Sequence, residues 1–391
     1  MPKVDPVVQD FSLLKPGPSV KTDPWSSGGG TALPGLPRNN NFDFIRLIAA
    51  LQVMLWHSYE HLNIRSPFLD GLMNIIKFFP GVPIFFTVSG FLIYASYDRK
   101  KDLKIYFRNR FLRIFPGLWA CLALTLVSLG VFGYLNSTAL QDRQVWLWIP
   151  SQFTFFQVFT PDVFRSFGAG SPNGSLWTIP TEVMFYTFVP VFFWFALKLK
   201  MNKTWLILIL MALSYAYNVY WGLYRAEQGQ TAVFNMMTKN LFPFLFYFLT
   251  GTLIYLHWER IKSWYEGRGL YWLAGYALYC SVFSLWLQYF EPGYYPNFFG
   301  LVSIIILSQV VIALAYSGRN ISHRLLHGND ISYGVYLYHM PVINVFLETG
   351  FKGVNVTVLF VVLLTMALAF LSWKIVEQPS LRLKKKPAVI H

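Results

Sequence analysis

Residues 42–62, FDFIRLIAALQVMLWHSYEHL, form an apolar stretch that carries Asp43, Arg46 and His57. Its length suits one helical crossing of a bilayer, which takes about 20 residues. At about 100° per residue, Arg46 and His57 lie within roughly 20° of one helical face and about 16 Å apart along the axis. Asp43 lies on the same face, one turn before Arg46. Charged groups inside a bilayer are costly, so this line of ionisable side chains indicates a functional helix.

Each of these residues also has an ordinary structural explanation. Arg46 could anchor the helix by extending its side chain to the interface, and a neighbouring helix could satisfy His57. Their alignment on one face favours function. A metal pair of His57 and His61 has helical spacing, but no third ligand is evident, so no metal site is expected.

The whole chain has the composition of a membrane protein. It is 55% hydrophobic and only 13% charged, whereas soluble domains carry about 25% charged residues. The apolar residues come in blocks long enough to span a bilayer. We therefore predict an all-α polytopic membrane protein with about ten transmembrane helices, at 43–62, 74–97, 111–135, 175–197, 204–223, 236–256, 270–289, 298–317, 331–349 and 354–376.

The distribution of basic residues predicts the orientation. The chain has 32 Lys and Arg residues and a net charge of +14, and most of them fall in alternate loops. Because cytoplasmic loops are rich in Lys and Arg, both termini are expected in the cytoplasm. The positive charge is thereby explained without nucleic acid, for which no binding motif is visible.

The chain divides into three parts. Residues 1–40 are rich in Pro, Gly and Ser and are expected to form a disordered cytoplasmic tail. Residues 41–380 form the transmembrane domain, and 381–391 form a basic cytoplasmic tail. The longest external loop, at about 136–174, contains many aromatic residues. It suits either a binding lid or an interfacial aromatic belt, and both interpretations stay open.

A basic motif, RNRFLRIFPG at 108–117, precedes the third span and places Arg110 and Arg113 one turn apart. Such charge is common at the cytoplasmic end of a membrane helix. Arginine forks also suit the phosphate groups of a donor such as coenzyme A.

Two further motifs place ionisable groups within spans. GSLWTIPTEVMFY at 174–186 puts Glu182 in the outer half of the fourth span, where it needs a partner or a substrate. DISYGVYLYHMP at 330–341 puts His339 on one face with Ser332 and Tyr336. For His339, a network of packing hydrogen bonds competes with a catalytic role.

Together these motifs resemble the acyltransferase-3 family of membrane proteins, over about residues 41–380. The shared motifs are the Arg46-x10-His57 pair, FFTVSGFLIY at 85–94, the RxxR of Arg110 and Arg113, SLWTIPTEVMFY at 175–186, ISYGVYLYH at 331–339 and WKIVEQP at 373–379. The family contains bacterial O-antigen, exopolysaccharide and Nod-factor acyltransferases. The resemblance implies an integral protein of the bacterial inner membrane. Its expected reaction moves an acyl group, usually acetyl, from cytoplasmic acyl-CoA to a hydroxyl of a cell-surface carbohydrate.

The resemblance also implies roles for particular residues. His57 is the expected catalytic base and Arg46 its motif partner in the same pore. Arg110 and Arg113 are expected to bind the donor. Glu182 and His339 match family motifs as catalytic candidates with less settled roles.

The expected mechanism is direct attack of the hydroxyl on the thioester, with His57 taking the proton, because an imidazole titrates near neutrality. Cys121 and Cys280 lie outside every motif, so a cysteine acyl-enzyme is not expected; a covalent intermediate on His57 stays open. The alternative is a transporter or flippase of a lipid-linked saccharide, which would also need Arg, His and Glu in the membrane.

Overall fold

The computed structural model describes residues 40–384, apart from 100, 158, 293–296 and 319–320. Those residues form helices joined by loops, with no strand among them. Of the two expected tails, residues 1–39 and 385–391 lie outside the described residues, so their character stays a prediction.

The helices follow one another along the chain with short connections. Their bounds are α1 Phe42–His61, α2 Pro67–Ile76, α3 Gly81–Asp98, α4 Leu103–Val131, α5 Ser137–Gln141, α6 Arg143–Gln152, α7 Thr178–Lys198, α8 Lys203–Gln228, α9 Ala232–Thr238, α10 Leu241–Leu256, α11 Trp258–Ile261, α12 Gly269–Cys280, α13 Phe298–Ala315, α14 Ile321–Leu326, α15 Ser332–Glu348, α16 Thr357–Ser372 and α17 Gln378–Arg382. Wider π-helical turns follow α12 at Ser281–Trp286 and α16 at Trp373–Glu377, and 3₁₀ turns occur at Asp162–Phe164, Gly174–Trp177 and Lys262–Trp264.

Six helical stretches of the described chain are long and apolar enough to cross a membrane. A seventh is added if Val233–Leu256 and Trp258–Trp264, which meet at a 73° bend, count as one span. The prediction of an all-α integral membrane protein is confirmed. The predicted number of ten crossings exceeds this count and stays a prediction.

Local chemistry explains why two helices differ from their predicted bounds. The predicted span 74–97 is broken, because α2 ends at Ile76 and α3 starts after Pro80, with the Gly81 amide donating to Gln52 Oε1 at 2.8 Å. The helix expected at 111 instead begins at Leu103, where the Asp102 side chain accepts a hydrogen bond from the Ile105 amide at 2.9 Å. An N-cap of this kind satisfies one of the free amides of the first turn.

The closest helix pair, α3 and α10, depends on two glycines. A Cβ atom on Gly90 would lie 1.8 Å from the Phe248 carbonyl oxygen, and one on Gly251 would lie 2.0 Å from that of Thr87. Small residues let membrane helices approach at the backbone, where dispersion contacts replace the missing hydrophobic drive. This pair forms a rigid wall beside α1.

The centre of the bundle is α15, which packs against α1, α4 and α16. Its residues from Gly334 to Asn344 are all buried. We call the end of the bundle that carries Arg113 and Asp330 the basic end. From there α15 runs toward the far end, where Glu348 lies.

The predicted external loop folds back along the bundle. Trp119 Nε1 donates to the Phe153 carbonyl at 2.9 Å, although Trp119 lies twelve residues before the end of α4, or about 18 Å along its axis. The returning chain is held on α15, since Asn344 Oδ1 accepts from the Ala169 amide at 2.9 Å and Glu348 Oε1 from the Gly168 amide at 2.7 Å. The end of the loop therefore enters the bundle, whereas Trp146, Phe153 and Phe156 stay exposed on its outside.

Candidate active site

Two histidines from opposite ends of the chain meet inside the bundle. His57 Nδ1 lies 2.9 Å from His339 Nε2, and the rings meet edge to edge, with centroids 5.2 Å apart and planes inclined by 21°. His339 is fully buried, whereas His57 is half-buried. The sequence predicted both as candidates but gave no sign that they touch.

The hydrogen bonds around the two histidines indicate which ring nitrogens carry protons. His339 Nδ1 lies 3.3 Å from the Val335 carbonyl oxygen, which is an acceptor only. That nitrogen therefore carries the proton, and His339 Nε2 accepts from His57 Nδ1. In this arrangement His57 Nε2 is left unprotonated. Proteins commonly use a second hydrogen-bonding group in this way to fix the tautomer and the orientation of a basic imidazole.

The predicted GSLWT motif lies next to this pair. The Tyr336 ring packs edge-on against His339 with centroids 5.7 Å apart. The Tyr336 hydroxyl donates to the Ser175 carbonyl at 3.1 Å and lies 2.8 Å from Thr178 Oγ1. The start of α7 is therefore fixed at the depth of Tyr336, in the first third of α15.

Glu182, which the sequence put in the outer half of its span, lies in the first half of the helical stretch Gly174–Lys198, and the side of the membrane that this half faces stays a prediction. Because α7 begins deep in the bundle, Glu182 lies on the basic side of Tyr336 and within electrostatic range of Tyr333. Its Oε1 accepts a hydrogen bond from the Tyr186 hydroxyl at 2.6 Å. Glu182 does not contact the histidines.

At the basic end, a buried carboxylate joins two of the predicted arginines. Arg113 Nη2 forms an ion pair with Asp330 Oδ2, and Arg46 Nη1 lies 3.6 Å from the same oxygen and 3.9 Å from Asp43 Oδ1. Burial favours the neutral acid of Asp330, but Arg113 and Arg46 outweigh it and hold the pKa of Asp330 below its ordinary value. Arg46 and Arg113 are thus drawn together by a residue for which the sequence predicted no role.

Arg110, one turn before Arg113 on α4, makes different contacts. Its guanidinium lies over the rings of Tyr186 and Tyr106, at 5.4 and 5.6 Å from their centroids. Within the described chain, its buried Nε has no hydrogen-bond partner. A buried N–H group without an acceptor is costly, which makes Arg110 a candidate for binding an anion.

Sequence reasoning missed two buried acids, although both lie in motifs that it quoted. Asp330 directly precedes ISYGVYLYH, and Glu377 lies in WKIVEQP. Glu377 Oε1 accepts from Ser372 Oγ at 3.0 Å, while its buried Oε2 has no partner among the described residues. The available signal was an acidic residue inside or directly before a largely apolar motif.

The described residues contain no group of three or more His, Cys, Asp or Glu side chains that could hold a metal ion. His61 lies beside His57 with ring centroids 5.6 Å apart, and its ring stays outside the His57–His339 hydrogen bond. Cys121 is buried and donates its thiol to the Leu337 carbonyl at 3.3 Å. The reactive groups assembled here are imidazole, guanidinium and carboxylate.

Comparison with known proteins gives a consistent picture. A family model described as an acyltransferase domain matches residues 39–374. Nodulation protein 10 of Rhizobium leguminosarum bv. viciae is 30% identical over 367 residues, covering 88% of this chain and 94% of that protein. The O-acetyl transferase of Shigella phage Sf6 is 27% identical over 346 residues, covering 87% and 96%.

A longer relative is also similar. The peptidoglycan O-acetyltransferase OatA of Listeria monocytogenes is 24% identical over 324 residues, covering 77% of this chain and 51% of that protein. This chain therefore spans about half of OatA. No solved structure shows significant similarity to the chain.

Proposed function

The chain belongs to the acyltransferase family whose model covers residues 39–374 and is a membrane O-acyltransferase, and from this premise we propose that it moves an acetyl group from cytoplasmic acetyl-CoA to a hydroxyl of a cell-surface carbohydrate. The names of two relatives support acetyl as the group transferred, and one of those names specifies peptidoglycan. A transporter or flippase is not favoured, because the matched family and the named relatives are acyltransferases.

The hydrogen bond between His57 and His339 is the observation that carries this proposal. With its Nδ1–H held by His339 Nε2, His57 presents Nε2 as the proton acceptor. When Nε2 takes a proton, the same hydrogen bond stabilises the imidazolium that forms. General bases positioned in this way contribute rate factors of about 10² to 10⁴.

The proposed reaction needs no proton acceptor or donor besides His57. The sugar hydroxyl oxygen attacks the thioester carbonyl carbon while His57 Nε2 takes its proton. The carbon–sulfur bond breaks, and the leaving thiolate takes the proton from the His57 imidazolium. The ester and free thiol leave, and His57 returns to its starting state.

The donor would enter at the basic end. Arg46 and Arg113 lie there, and Arg110 offers its free Nε to a phosphate oxygen. On α1 the rise per residue separates Arg46 from His57 by about 16 Å. The nucleotide phosphates would stay near the arginines while the flexible arm of the donor reaches toward the histidines. Glu182 lies between these two regions and could contact that arm.

The topology that this reaction needs is the one the charge pattern predicts. In it the chain crosses the bilayer about ten times, both termini and the basic end face the cytoplasm, and the acceptor approaches from the far end. In a bacterium this places the protein in the inner membrane. Residues 41–380 would form the catalytic domain, flanked by two cytoplasmic tails.

The test uses purified protein with acetyl-CoA and a panel of oligosaccharides. Release of free CoA that depends on the acceptor, together with acceptor mass increased by one acetyl group, supports the proposal. Loss of both in His57→Ala protein that still purifies as a folded monodisperse sample supports His57 as the base. Full activity in that variant would remove His57 from the mechanism, and no acetyl-CoA turnover by the wild type would overturn the donor.

A further inference from the structure

The segment that follows α16 folds back over the basic end of the bundle. Trp373 Nε1 and Lys374 Nζ donate to Asn329 Oδ1 at 3.1 and 2.9 Å, which ties the segment to the turn before α15. Arg108 Nη2 donates to the Leu383 carbonyl at 3.1 Å, which ties its other end to α4. The backbone immediately before Lys384 is therefore held beside the arginine motif.

Lys384 is half-buried there and joins a cluster of cations. It lies within electrostatic range of Arg113, Arg110 and Arg46, and the acids that face the same cluster are Asp330 and Asp43. Arg108 approaches through the Leu383 carbonyl, and Glu377 lies near Arg113. Burial, and then the repulsion of the three arginines, lowers the pKa of Lys384 to about 7.

The two acids that face Lys384 are already engaged with arginines. Asp330 is paired with Arg113 and Arg46, and Asp43 faces Arg46. Lys384 and Arg110 are left without a carboxylate assigned to them in these ion pairs. Two neighbouring cations, partly withdrawn from water, are stable together when a multiply charged anion joins them.

We propose that Lys384 is a further donor-binding residue, which acts with Arg110 to bind the phosphate groups of the acyl-CoA that the proposed function requires. A polyphosphate matches the site because it presents several negative oxygens along a chain, whereas one carboxylate could neutralise only one cation. Binding of the anion favours the protonated form of Lys384. Donor affinity is therefore full where Lys384 is protonated, below about pH 7, and falls as pH rises above it.

The experiment measures CoA binding by calorimetry between pH 6 and 8.5, since free CoA binds without acyl transfer. Lys384→Met should weaken binding about tenfold at pH 6, as expected for the loss of one charge-assisted contact, and should reduce the pH dependence. Lys384→Arg should bind well and stay nearly constant with pH, because arginine keeps its charge. Arg382→Met is the matched control: it removes one positive charge from the same segment, at an exposed side chain, and should leave affinity within twofold.

Equal affinity of Lys384→Met and Arg382→Met at pH 6 would overturn the proposal. Inorganic pyrophosphate is titrated in parallel, which separates this inference from the proposed function. Lys384-dependent binding of pyrophosphate without any CoA binding supports the anion site and overturns CoA as donor; binding of neither overturns both.

An anionic lipid headgroup has the same chemistry as a donor phosphate. The CoA titration is therefore repeated in nanodiscs of phosphatidylcholine alone and with added phosphatidylglycerol. Undiminished CoA affinity in phosphatidylglycerol supports the donor site. Competitive loss of CoA binding there, dependent on Lys384, would assign the cluster to lipid and overturn the proposal.

Discussion

Arg110 and Arg113 lie one turn apart on α4, yet the protein treats them differently. Arg113 is committed to the buried carboxylate of Asp330, whereas Arg110 rests on tyrosine rings with its Nε unpaired. The histidine pair shows the same division, because His339 has both nitrogens engaged and His57 keeps one open. In each pair, one member is fully engaged with neighbouring groups and the other keeps a nitrogen without a partner.

The largest effect is expected at the open histidine. His57→Ala should lower kcat by about 10² to 10⁴, because the hydroxyl loses its proton acceptor. Steady-state CoA release with saturating acceptor measures the change, and thermal unfolding in detergent checks the fold. A kcat within threefold of wild type would show that another group is the base.

The committed arginine should instead govern stability. Arg113→Ala leaves the Asp330 carboxylate buried with only the longer contact to Arg46, and breaking a buried ion pair from one side costs about 3–5 kcal/mol. Thermal and denaturant unfolding of purified protein measures this loss. The double variant Arg113→Ala with Asp330→Asn should regain much of it, since no buried charge is then left alone. If the single variant kept the wild-type melting temperature, the ion pair between Arg113 and Asp330 would not stabilise the fold.

His339 is expected to act by positioning His57. His339→Leu removes the acceptor for His57 Nδ1–H and should lower kcat about 10- to 100-fold, the range seen when a supporting hydrogen bond is lost. His339→Gln, which offers a carbonyl oxygen in its place, should recover part of the rate. KM for the donor should stay constant in both variants. Equal kcat values for the leucine and glutamine variants would show that the lower rate does not come from the loss of this hydrogen bond.

The smallest of these effects is expected at Arg110. Arg110→Gln should raise KM for acetyl-CoA about tenfold, the loss of one charge-assisted phosphate contact, with kcat and melting temperature near wild type. Arg113→Ala is the variant to compare with it. Arg110→Gln should weaken donor binding and leave stability unchanged, whereas Arg113→Ala should lower stability. An equal loss of stability in the two variants would contradict this difference between the two arginines.

Much of the fold follows from local properties of the chain. Apolar block length predicts helices, and breaks at Pro80 and capping by Asp102 follow local rules that shift a boundary by several residues. The depth of α7 could not be predicted in this way. It depends on Tyr336 holding Ser175 and Thr178 inside the bundle, a contact across more than 150 residues of chain.

The sequence by itself determined that the chain is helical and membrane-embedded, which family it belongs to, and that Asp43, Arg46 and His57 share one helical face. These properties depend on composition and on spacing within one helix. Only the tertiary structure decided that His57 meets His339 across 282 positions, that Asp330 takes Arg113 and leaves Arg110 free, and that Lys384 returns to the arginine motif. Such pairings depend on how separate helices pack, and apolar helices that are buried on most sides carry no periodic pattern to show which faces will meet.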